Sequence, residues 1–213
     1  MKITVMKNPA VRFFAVMTAL SVMLSLIRVI LFETPSYIWM NWNLFLGLLP
    51  ILFAVLFVRY RKPVWLAVIL FAAWLFFLPN APYMITDFIH IHNVGPTSLH
   101  WFDGLMLFCF AVTGMASFVY STYLVRKPLS NSVWFVPVIS LLTGFGIYLG
   151  RYVRWNTWDL VSRPGAFFSN IGDIVTAPGS HEPSVMMTFV FGFSLFIVYV
   201  AIEPLLQNKQ NNF

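Results

Sequence analysis

Polar and apolar positions in this chain separate on the scale of whole segments rather than of helical turns. Apolar runs occupy about 11–32, 42–58, 64–78, 104–125, 133–150 and 185–203, and the short stretches between them carry most of the charge. About 20 apolar residues, at ~1.5 Å of rise each, are what a helix needs to cross a ~30 Å hydrocarbon layer. The pattern therefore predicts an all-α integral membrane bundle of about six transmembrane helices. It forms a single transmembrane domain over 1–213, with no soluble domain between the spans. Lys2, Lys7 and Arg12 precede the first run, but no Ala-x-Ala-like cleavage site follows it. The expectation is an uncleaved anchor.

Two places depart from plain spanning helix. The third run, 64–78, reaches only about 22 Å before it meets Pro79, Asn80 and Pro82. Proline lacks a backbone donor and biases the preceding residue away from the α region, so the third span is expected to break at Pro79/Pro82. Irregular backbone at that depth is tolerated only where protein or a wet cavity satisfies it. Asp87 and His90 follow, three residues apart and so on one face of a helix. In the fifth loop, Phe167, Phe168, Ile171, Ile174 and Val175 recur at helical spacing with Asn170 and Asp173 interleaved, which predicts a short interfacial helix docked on the membrane. Pro50 and Pro137 are expected to kink the second and fifth spans, and Gly146-x-x-x-Gly150 to permit close helix approach.

Composition narrows the class. The chain has 213 residues, 60% hydrophobic and only 9% charged, against ~25% charged in ordinary soluble domains. Its net charge of +6 does not point to nucleic acid, because the basic residues cluster in short loops between apolar runs. The single cysteine, Cys109, excludes an intramolecular disulfide and a cysteine-built metal site. Lys2, Lys7 and Arg12, then Arg59, Arg61 and Lys62, then Arg126 and Lys127, then Lys209 fall on alternate sides of the spans. This distribution places both termini in the cytoplasm. Arg151, Arg154 and Arg163 then lie outside, against the rule, with Arg28 near the outer end of the first span. Glu33, Asp87, Asp103, Asp159, Asp173, Glu182 and all four histidines share that outer side.

Two constellations carry candidate chemistry. One is Asn80, Asp87, His90, His92, His100 and Asp103, in or beside the third loop. The other runs from Gly150 to Leu160 and includes Arg151, Arg154, Asn156 and Asp159. Arg151 and Arg154 are about one helical turn apart, and two guanidinium groups on one face suit bidentate grip of a phosphate or carboxylate. The same arginines are equally able to neutralise Asp87, Asp103 and Asp159. Asp87, His90 and His92, with His100 or Asp103, supply nitrogen and oxygen donors for zinc or manganese, in a spacing that matches no established signature. Without a metal, Asp87 and His90 make a general acid–base pair. No cofactor motif is recognisable: phosphate-loop and dinucleotide glycine patterns are absent, as is a Gly-x-Ser-x-Gly elbow.

The stretches Leu78-Pro79-Asn80-Ala81-Pro82-Tyr83 with Thr86-Asp87 and His90, then Trp101-Phe102-Asp103, then Gly150 to Asp159 resemble a bacterial membrane-protein family known as domain of unknown function 1361. The resemblance runs from about the second span to the sixth. It implies a multi-spanning protein of the bacterial cytoplasmic membrane, and its motif positions coincide with the two constellations. The expected function is recognition, with turnover as an open question, of an anionic lipid-linked or phosphate-bearing ligand at the outer face. Arg151 and Arg154, with Asn80, Asn156 and Asp159, would bind it, and Asp87 and His90 would act as acid–base groups or metal ligands. The alternatives are a small-solute transporter and a non-catalytic scaffold of an envelope complex. The partner common to all three is the lipid bilayer.

Overall fold

The structure is a computed structural model that describes residues 8–32, 36–91, 97–129, 132–155, 159–177 and 182–208. Six helical stretches are long and apolar enough to span a membrane: Pro9–Leu31, Met40–Arg59, Val64–His90, His100–Leu129, Phe135–Val153 and Pro183–Gln207. Among the described residues there is no strand. The helices are α1 (Pro9–Phe32), α2 (Met40–Arg59), α3 (Val64–Phe77), the one-turn α4 (Asn80–Tyr83), α5 (His100–Leu129), α6 (Phe135–Tyr148), the one-turn α7 (Asp159–Ser162), α8 (Pro164–Thr176) and α9 (Glu182–Asn208). The all-α fold of six spans with a short extra helix after the fifth is as the apolar pattern required. Closed backbone hydrogen bonding inside each helix is what lipid demands, since it offers no partner to a free N–H or C=O.

The third span is interrupted where the prolines stand. α3 ends at Phe77, α4 begins at Asn80, and Met84–His90 winds as a tighter 3₁₀ helix. Leu78 keeps right-handed dihedrals, so the chain bends and rewinds rather than unravelling. Pro137 lies in the first turn of α6, where its missing N–H costs no intrahelical bond. Pro50 sits within α2.

The residues group into two compact units. The first comprises 1–49 and 80–118, the second 50–79 and 119–213. In the first, Leu24 of α1, Met40 and Leu44 of α2, Met84 of the 3₁₀ segment, and Met106, Leu107 and Phe110 of α5 form the core. The interrupted segment reaches that core because Gly114 carries no side chain. A Cβ there would overlap the carbonyl oxygen of Ala81 in α4.

In the second unit, α6 packs along α9, and Gly144 lets the backbone of Thr188 approach closely. Gly146 instead receives the Pro79 ring. The close approach anticipated from Gly146-x-x-x-Gly150 is thus real at Gly146, but its partner is the proline that ends α3. Trp74 of α3 is fully buried and stacks on Phe135 of α6.

α8 uses three faces. Phe167 and Ile174 are buried, packed with Ile171 against Tyr148, Leu149, Val153 and Trp155. Phe168 and Val175 point outward, 62% and 66% exposed. Ser169, Asp173 and Thr176 form the exposed polar side. The five apolar residues read from sequence as one docking face therefore divide between protein and surroundings, because 167 and 168 differ by ~100° around a helix.

Candidate functional site

The first unit holds a buried polar centre. Arg28, in the last turns of α1, donates from Nε to Asp103 Oδ1 at 2.6 Å and from Nη2 to Asp103 Oδ2 at 3.4 Å. Both side chains are out of solvent, 1% and 0% exposed. Asp103 stands in the first turn of α5, where free N–H groups favour a negative charge. A buried pair of this kind offsets its large desolvation cost only when the geometry is good. The two parallel contacts supply that geometry.

A polar stripe leads to it. Ser21, Ser25 and Arg28 recur at i, i+4 and i+7 on α1, all buried. Asn41 of α2 donates to Ser25 Oγ at 2.7 Å and to the Ile38 carbonyl at 3.1 Å, and Ser25 donates on to the Val22 carbonyl. Asn43 donates to Asp87 Oδ2 at 3.3 Å. Asp87 is fully buried. It lies three residues before His90 in the 3₁₀ helix, a register that eclipses the two positions. The His90 carbonyl accepts the Tyr37 hydroxyl at 3.1 Å, and the edge of its ring meets Trp39 at 5.5 Å.

Tyr37, between α1 and α2, is buried and has φ of 68°. That left-handed conformation is costly for an aromatic residue and is held here by the hydroxyl bond and the burial. Burial, with the Asp103 carboxylate adding to it and Arg28 opposing it, pushes the Tyr37 phenol up to about 12.

The second unit carries the arginine turn. After α6, residues Leu149–Val153 widen into a π turn, and Arg154 follows with φ of 60° and ψ of 33°. The Leu149 carbonyl accepts the N–H of both Arg154 and Trp155, the latter at 3.1 Å. Arg154 therefore occupies the left-handed position that usually goes to glycine at a helix end. Its side chain is exposed, whereas Arg151 is half-buried.

Trp155 anchors this turn to α8. Its Nε1 donates to Asn170 Oδ1 at 3.1 Å, its ring meets Phe167 edge-on at 5.4 Å, and the Arg163 guanidinium lies over it at 5.4 Å. Arg163 also pairs with the buried Asp159 at 2.7 Å.

Asp87 and His90 share one short helix, with Asn80 at the start of α4 in the same unit. Asp103 is engaged by Arg28. Asp159 is engaged by Arg163. His92 and Asn156 lie outside the described residues. Among the described residues, no three His, Cys, Asp or Glu side chains come together to hold a metal ion.

Sequence reasoning missed Ser21, Ser25, Asn41, Asn43 and Tyr37 altogether. The signal was present in Ser-x-x-x-Ser-x-x-Arg, a polar line on one face of an otherwise apolar span. Arg28 was noticed only as an arginine near a span end.

A family model described as a protein of unknown function, DUF1361, matches residues 42–198. No curated protein and no solved structure matches the chain. The matched region contains the interrupted third span, the first turn of α5 that bears Asp103, and the arginine turn with α8. With its six apolar spans and these features inside the match, the chain is a multi-pass membrane protein that belongs to the DUF1361 family.

Proposed function

We propose that this protein recognises an anionic lipid-linked or phosphate-bearing molecule at the outer face of the bacterial cytoplasmic membrane, with both termini in the cytoplasm. Arg154 is the primary anion contact and Arg151 its neighbour. The observation that carries this reading is Arg154 itself, exposed and left-handed at the end of a π turn. Widened turns and left-handed non-glycine residues each cost energy, and both recur at functional sites.

The test is native mass spectrometry of the protein extracted in mild detergent. The expected spectrum retains a phosphate-bearing species that Arg154→Ala loses while the fold survives. Identical retention by the variant would refute the reading.

A second reading, transport of a small solute, draws on the buried Arg28–Asp103 pair and Asp87. All three fall within helices long enough to span, beside an interrupted helix of the sort many carriers use. Uptake by proteoliposomes that Asp87→Asn abolishes would favour it.

A further inference from the structure

We infer that the anion received by Arg154 is the headgroup of a membrane phospholipid, which enters sideways from the bilayer along the outward strip of α8. This rests on the anion-binding reading above and adds the class and the route of the ligand.

Three observations converge on it. The first is the exposed strip Phe168 and Val175, seven residues apart and so within ~20° of each other around α8. Gly165 and Gly172 extend the strip, and a Cβ at either would meet nothing within 4 Å. The adjacent exposed side of α8 bears Ser169, Asp173 and Thr176. A helix with one face on protein, one apolar face open and one polar face open fits the plane where acyl chains meet headgroups. A soluble ligand gives no reason for the open apolar face.

The second is the tether between that strip and the arginine. Trp155, next in the chain after Arg154, is fixed to α8 by its bond to Asn170 and its contact with Phe167, and Phe167 in turn meets Phe168 edge-on. Adjacent Cα atoms are ~3.8 Å apart, so Arg154 is held at the margin of α8, where a headgroup phosphate would lie if Phe168 entered the acyl layer. Tyr152, also exposed, stacks on Tyr148 beside this turn.

The third is charge. Asp159 is matched by Arg163, and Asp173 lies on the polar side of α8, about 140° from Phe168. The exposed guanidinium of Arg154 carries the sign that an anionic phospholipid needs, and the three faces of α8 set the depth.

The experiment compares two probes on the full chain in detergent: phosphatidylglycerol, and glycerophosphoglycerol, the same phosphodiester without acyl chains. Wild type should bind the lipid at least tenfold more tightly. The exposed pair Phe168→Ser with Val175→Ser should lose about that factor for the lipid and keep its affinity for glycerophosphoglycerol. Arg154→Ala should weaken both. If the paired substitution leaves lipid affinity unchanged, lipid entry along α8 is wrong and anion binding stands. If Arg154→Ala alters neither probe, the anion-binding reading itself falls.

A second measurement does not depend on those variants. Cys109 is buried, so a bimane label on Phe168→Cys reports alone. Quenching by doxyl lipids labelled high on the acyl chain is expected, and no quenching in vesicles would overturn the placement of α8.

Discussion

Replacing Arg28 with methionine leaves the Asp103 carboxylate, 0% exposed, without the two contacts that Arg28 makes to it. Removing one member of a buried ion pair costs about 3–5 kcal/mol. For a chain of roughly this size each kcal/mol moves Tm by about 2–4 °C. A fall of roughly 10 °C is expected when unfolding is followed by near-UV circular dichroism in detergent. Asp103→Leu should fall as well, because it takes from the buried guanidinium the two contacts made to that carboxylate. The double variant, Arg28→Met with Asp103→Leu, removes both charges and fills the space with apolar atoms. Such replacements are often neutral or stabilising by about 1–4 kcal/mol, so it should recover most of the lost Tm. The cycle then yields a coupling of at least ~3 kcal/mol between residues 75 positions apart in sequence. Additive losses would refute the pairing, and so would an Arg28→Met protein within about 1 kcal/mol of wild type.

Other outcomes follow from particular residues. Gly114→Ala drives a methyl into the Ala81 carbonyl and should destabilise by about 1–3 kcal/mol or block assembly, whereas Gly172→Ala meets open space and should be neutral or slightly stabilising; comparing their melting curves checks this. The Tyr37 phenol is held near 12 in the fold against an ordinary 10. The unfolded chain releases that proton first, so stability is intact below pH 10 and declines between about 10 and 12. Tyr37→Phe should flatten that stretch of the profile of Tm against pH. Cysteines placed at Lys62 and Lys127 should resist an impermeant maleimide in intact cells, whereas one at Asp173 should react; the reverse would invert the topology.

The elements most legible in sequence were those governed by local chemistry. Span lengths follow from apolar runs, the interruption after Phe77 from Pro79 and Pro82, and α8 from its helical spacing. Asp87 and His90 came together because both lie on one short helix. Pairings between distant segments left no such mark. Asp103 looked like a member of a loop cluster, since its sequence neighbours are His100 and Trp101, yet its partner lies 75 residues earlier. Asp159 looked available to a ligand because Arg163 was counted only as a charge on the outer side, although the two are one turn apart. The left-handed Arg154 had no local signature either, because glycine is the residue that normally announces that conformation.

Anion recognition requires Arg154 to act as a ligand contact rather than as a prop for the fold. Thermal unfolding in neutral detergent, with and without phosphatidylglycerol, separates the two. Free ligand at about 100 times its Kd stabilises by ~2.7 kcal/mol, or a Tm rise of roughly 5–10 °C. Wild type should show that rise with phosphatidylglycerol and little with phosphatidylcholine. Without lipid, Arg154→Ala should melt within ~2 °C of wild type, because substitution of an exposed side chain usually moves stability by less than about 0.5 kcal/mol. It should also lose the lipid-induced rise. An undiminished rise in Arg154→Ala would contradict the account, and so would a large loss of stability in the absence of lipid.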